Sequence, residues 1–168
     1  MRKISGILLT LLVLTGCGRG VPQTAADVQD FGDVLAFLGD TAETEITGVS
    51  LDISSDTRAP DPMRLSEADT TELLGMLEEM QFTAEKNTLY RYGGSCYVIL
   101  FHLSGGETVY IAAEAEYLTV WKDMKNAEGK WETVEYRLLP GDTADTLAVL
   151  DIVGQIWDET DPLEAGKK

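Results

Sequence analysis

CYVILFHLSGGETVYIAA, residues 96–113, decides the fold. Its first eight residues are apolar on both sides: Cys96, Val98 and Leu100 on one, Tyr97, Ile99, Phe101 and Leu103 on the other. Successive side chains of an extended chain point to opposite faces, so the pattern predicts a central strand covered on both faces. Ser104-Gly105-Gly106-Glu107 then predicts a two-residue Gly-Gly hairpin loop. TVYIAAEA (108–115) pairs back as the next strand.

The pattern continues outward in both directions. YLTVWKDM (117–124) and WETVEYRLL (131–139) flank KNAEGK, whose Asn126 and Gly129 mark a second hairpin. FTAEKNTLYRY (82–92) alternates weakly and reads as an outer strand ending at a Gly93-Gly94 turn. ITGVSLDIS (46–54) sets Val49, Leu51 and Ile53 against Ser50, Asp52 and Ser54, the signature of a half-buried strand. SDTRAPDPM after it reads as a loop, because Pro60 and Pro62 deny a ladder its donors.

Three segments carry helical spacing. Val28, Phe31, Leu35 and Leu38 recur every three or four residues and predict a helix over 25–38, with Thr24 as cap and Gly39 as stop. Ser66 with Asp69 three residues on opens a second helix, 66–80, whose apolar positions are Leu73, Leu77 and Met80. Leu147, Leu150, Val153 and Trp157 form the stripe of a third, 143–157. The implied fold is α+β: a mostly antiparallel sheet of five to six strands with two to three packed helices. The expected organisation is a leader (1–16), a tether (17–24), an N-terminal helix (25–40), an α+β domain (46–158) and a polar tail (159–168).

The leader rests on Met1-Arg2-Lys3, then the apolar run Ile7–Leu14, then small residues before Cys17. A charged start, a short apolar stretch and a small-residue end are the parts of a secretory signal. The run falls well short of the ~20 residues that span a bilayer. Leu14-Thr15-Gly16-Cys17 resembles the bacterial lipobox. That resemblance implies cleavage before Cys17, a lipid on its thiol, and a protein held on the extracytoplasmic face of the cell membrane. Gly18 stands where an aspartate would signal inner-membrane retention in a two-membrane host.

The full chain of 168 residues carries a net charge of −16, and loss of Arg2 and Lys3 with the leader takes it to −18. Such a charge keeps the domain soluble and repels anionic lipid and nucleic acid, whose binding depends on cations meeting phosphates. The expected membrane link is therefore the covalent lipid, and no nucleic-acid partner is expected. With Cys17 lipidated, Cys96 is left as a lone thiol without a disulfide partner.

Chemistry is sparse. His102 is the sole histidine, placed with Val98 and Leu100 on one strand face, and reads as a structural residue. Cys96 lies about 20 Å from it at ~3.3 Å per residue, too far for a thiol–imidazole pair. Zinc would lack ligands. Asp52, Asp56 and Asp61 are the fairest calcium candidates but lack the EF-hand spacing, so neither metal nor cofactor is expected. The paired glycines match no phosphate-binding loop. Glu114 and Glu116, two apart on one strand, share a face and suit a solvated edge better than glycosidic acid–base work. Aromatic residues concentrate between 90 and 136, and Tyr117, Trp121 and Trp131 are the candidate interaction surface.

From Ile46 to Trp157 the order of strand, capped helix, hairpins and closing helix resembles small lipoprotein domains of unknown function in Gram-positive bacteria. That resemblance concerns shape and carries over no functional residue. The expectation is a non-catalytic, membrane-anchored binding domain for a protein, peptide or cell-wall partner. The alternative is a small carboxylate-based wall hydrolase or wall-modifying enzyme.

Overall fold

The computed structural model describes residues 21–54, 61–87 and 96–160. Seven strands form one sheet: β1 (Ile46–Ser54), β2 (Met63–Arg64), β3 (Phe82–Lys86), β4 (Cys96–Leu103), β5 (Thr108–Ala113), β6 (Leu118–Lys125) and β7 (Trp131–Pro140). Their order across the sheet is β2-β1-β4-β5-β6-β7-β3, and every pairing is antiparallel. Three α-helices complete the fold: α1 (Phe31–Gly39), α2 (Glu67–Glu79) and α3 (Thr143–Thr160). The architecture is α+β, with more strands than expected. The additional one is β2, two residues pairing Ser50 and Leu51 just after the proline loop.

The registers sort the side chains into two faces. Val49, Phe101 and Val109 lie abreast, as do Leu51, Ile99, Ile111 and Val120. These residues, with Leu118, Tyr136 and Leu138, share one core with Phe31, Val34 and Phe37 of α1, Leu73 and Leu77 of α2, and Val149 and Val153 of α3. Phe31 meets Phe101 edge-to-face at 5.2 Å, Phe37 meets Tyr136 at 5.5 Å, and Trp157 leans on Tyr97 at 6.4 Å. All three helices therefore pack on the same side. β4 is central as predicted, but helices cover only the Ile99–Phe101 face. Strand alternation reports burial without saying what buries, and Leu100 is buried on the helix-free side.

The helix predicted over 25–38 is two pieces. The Thr24 N–H and hydroxyl both donate to the Asp27 carboxylate, at 2.9 Å each, around a single 3-10 turn, Ala25–Asp27. Hydrogen bonds from the Thr24 hydroxyl and then its backbone N–H hold the Asp27 carboxyl below its usual range. Val28 is extended, the Gln29 carbonyl accepts from the Phe82 N–H, and Asp30 bridges Gln81. Asp30 then caps α1 by accepting from the Asp33 N–H at 2.9 Å. The sheet's edge at β3 captures backbone that helical spacing had assigned to a helix. α1 contributes two phenylalanines, Phe31 and Phe37, to the core.

Two further local expectations change. The β4–β5 loop has three residues, Ser104 to Gly106: the Leu103 N–H reaches the Glu107 carbonyl and the Gly106 N–H returns to Leu103. Gly106 is left-handed at φ 95°, which suits a turn closed by a glycine bulge. β5 stops at Ala113, so Glu114 and Glu116 are not strand neighbours. Residues 88–95, with the expected end of the outer strand and the Gly93-Gly94 turn, lie outside the described residues, as do Cys17, Asp56 and 161–168.

The Ser66 cap is as expected: its hydroxyl accepts from the Asp69 N–H at 3.2 Å and donates to the Asp69 carboxylate at 2.6 Å. Ser66→Ala should cost about 1 kcal/mol, read as a lower urea midpoint with unchanged slope. A shift near zero would mean that α2 is held by packing alone.

Candidate functional site

With the helices on one side, the other side of the sheet is the candidate surface. Alternation brings there Ser50 from β1, Leu100 and His102 from β4, Thr108, Tyr110 and Ala112 from β5, Thr119 and Trp121 from β6, and Glu135 and Arg137 from β7. Among the described residues no helix packs against it.

All three aromatic residues singled out by the sequence belong to this side, each in a different state. Tyr117, in the β5–β6 turn, lies half-buried with its ring under the Arg137 guanidinium, 4.7 Å from charge centre to ring centre. Trp121 is half-buried opposite Glu135. Trp131 is 70% exposed at the start of β7, with the Lys125 ammonium 5.2 Å from its ring. Tyr110, 50% exposed, is a fourth ring that the sequence reading left out. The signal was present: in TVYIAA, Tyr110 alternates with Val109 and Ile111, which face the helices.

Arg137 anchors the polar part of this surface. Its side chain is 16% exposed, and the Glu85 carboxylate approaches to 3.8 Å. Its Nε–H is buried without a hydrogen-bond partner. Thr119, abreast of it, donates to Glu114 at 3.0 Å. Glu114 is thus turned inward while Glu116 is exposed, so the two do not act as a pair.

His102 sits between two hydroxyls. Its Nε2 is 3.0 Å from Ser50 Oγ and its Nδ1 is 3.2 Å from Thr108 Oγ1. A hydroxyl–imidazole pair invites comparison with a catalytic triad, in which a carboxylate orients the imidazole. Here a threonine hydroxyl occupies that position and Ser50 is buried, so the row satisfies polar groups inside the sheet. Cys96 is half-buried at the other end of β4. No group of three or more His, Cys, Asp and Glu side chains among the described residues is placed to hold a metal ion, and no described helix is long and apolar enough to cross a membrane.

Ser50, Leu100, Ala112 and Thr119 of this side are buried, and the rings it exposes are those of Tyr110 and Trp131. Comparison of the chain with protein-family models, with curated proteins and with solved structures gave no match.

Proposed function

We propose that the chain is a lipid-anchored, extracytoplasmic interaction domain without catalytic activity of its own, which presents Tyr110 and Trp131, on the helix-free side of the sheet, to a protein, peptide or cell-wall partner. The observation that carries this reading is the exposure of Tyr110 and Trp131 on the sheet side that no described helix covers. Exposed rings of this kind act as binding anchors. The lipobox-like Leu14-Thr15-Gly16-Cys17 supports the anchor, and the charge of the mature chain supports solubility beside a membrane.

The anchor is tested by labelling cells with a radioactive fatty acid. Label and membrane partition should both be lost in Cys17→Ser, and an unlabelled wild-type chain would refute the anchor. The surface is tested by placing a photo-crosslinking residue at Tyr110 or, on the helix side, at exposed Leu147. Adducts should form at 110 and not at 147. Adducts at 147 alone, or at neither, would dispose of the proposed face.

A further inference from the structure

β3 and β4 follow one another in the chain but stand far apart in the sheet. β5, β6 and β7 lie between them. Each of the intervening pairings is antiparallel, so β3 and β4 run parallel. The link from Asn87 to Cys96 must therefore cross three strands and return to the starting end of β4.

Its length limits the route. The Asn87 N–H donates to the Glu135 carbonyl, which puts Asn87 on the rung of Glu135 and Trp121. The rung before it joins Tyr136, Val120, Ile111 and Ile99, so Asn87 is level with Leu100. Cys96 lies four residues below Leu100 on β4. Four strand spacings of about 4.8 Å and four rises of about 3.4 Å give a diagonal of about 23 Å. The steps from Asn87 to Cys96 span at most about 32 Å when fully extended. The link reaches if it lies on the sheet. Climbing over a helix about 10 Å thick and descending again would take about 40 Å or more.

The hand of the crossover selects the side. An extended L-residue, running upward with its side chain toward the viewer, directs its N–H and C=O to the right. Leu103 faces the helices, and its N–H meets the Glu107 carbonyl just before β5. Seen from the helices with β4 upward, β5, β6, β7 and β3 therefore lie to the right of β4. A link from β3 leftward to β4 is right-handed only if it passes behind the sheet, and about 98% of such crossovers are right-handed. Behind the sheet is the helix-free side.

Burial agrees with that path. Asn87 leaves β3 on this side, where its side-chain amide donates to the Glu135 carboxylate. The diagonal then runs over Arg137, Thr119 and Ala112, which pair in that order across β7, β6 and β5. Thr119 and Ala112 have no exposed surface, and Arg137 Nε is buried. Tyr110 points to the same side of β5, two residues from Ala112 and off the diagonal, and is 50% exposed.

We propose that residues 88–95 lie flat across the helix-free side and bury its centre, with Leu89, Tyr90 and Tyr92 as the apolar layer over Ala112 and Thr119. The middle of that side is then a second core of the domain, and a partner is left with the Tyr110 end of the sheet. The inference stands apart from the lipid anchor and from the identity of any partner.

The test is the nuclear Overhauser spectrum of the full chain, isotope-labelled and held in detergent micelles. Side-chain protons of Leu89, Tyr90 or Tyr92 should give cross-peaks to the Ala112 and Thr119 methyl groups. Tyr90→Ser with Tyr92→Ser should remove at least half of them. The Phe31–Phe101 ring contact reports on the fold in the same spectrum. With that contact present, no cross-peak from 88–95 to Ala112 or Thr119 overturns the proposal, and so do cross-peaks from 88–95 to Leu73, Leu77 or Val149 in the helix layer. Absence of the Phe31–Phe101 contact would overturn the arrangement of helices and sheet, and the proposed path with it.

Discussion

Phe101→Ala is expected to lower the stability of the domain by about 4 kcal/mol, within the usual 3–5 kcal/mol for removing a buried phenylalanine. Phe101 has no exposed surface. It sits in β4 between Val49 of β1 and Val109 of β5, and its ring meets that of Phe31 from α1 edge-to-face. No neighbouring backbone can collapse into the space, because β4 is paired on both sides over these residues. The cost therefore combines lost transfer free energy with a persistent cavity. Domains of this kind have 5–15 kcal/mol in total, so the urea midpoint should fall by about a quarter or more of its value. Phe101→Leu, which keeps most of the volume, should cost about 1.5 kcal/mol or less. A double-mutant cycle with Phe31→Ala should return a coupling of about 0.5–1.5 kcal/mol for the ring pair. A loss below about 1 kcal/mol for Phe101→Ala would mean that α1 does not pack where it is placed here.

What could be read in advance follows from how local each signal is. The 96–113 stretch states its strands and its turn within eighteen residues, and β4–β5 pair as it says, with one residue more in the loop. α2 is equally local, with its cap at Ser66 and its buried leucines at helical spacing. The 24–38 segment failed because its deciding contact is remote: Gln29 and Asp30 bond to Gln81 and Phe82, fifty residues on, and nothing in the local spacing records that. β2 was missed because two residues carry no periodicity. The site was legible in part. Trp121 and Trp131 lie on the helix-free face by alternation alone, whereas the stacking of Tyr117 on Arg137 joins a turn to a strand twenty residues away. That all three helices choose one face is a property of the connections, which no single strand encodes.

Lys122→Ala should cost about 3 kcal/mol, even though a lysine on a strand normally reads as a solvent-facing residue. In β6 it lies on the face of Leu118 and Val120, abreast of Val134, and is 9% exposed. Its ammonium donates to the Phe37 carbonyl and, at 2.6 Å, to the Asp40 carboxylate, and it lies 4.7 Å from the centre of the Phe37 ring. These groups form the C-terminal end of α1, where Asp40 turns left-handed at φ 52°. The carbonyls in the last turn of a helix have no intrahelical partner and carry its negative pole. Lys122 supplies from the sheet the cation that α1's own last turn lacks. Truncation leaves a buried acceptor unsatisfied, at about 1–3 kcal/mol, and removes the packing of the aliphatic stem. Lys122→Met separates the two contributions: it keeps the stem and should cost about 1–2 kcal/mol, nearly all from the orphaned carbonyl. Asp40 is 75% exposed on its side chain, so Asp40→Asn should cost less than about 1 kcal/mol, as ion pairs with a solvated partner do. Urea midpoints in the order Asp40→Asn, Lys122→Met, Lys122→Ala, from highest to lowest, are the expected result. If Lys122→Met matched wild type, the ammonium would be dispensable and α1 would be held to the sheet by its phenylalanines alone.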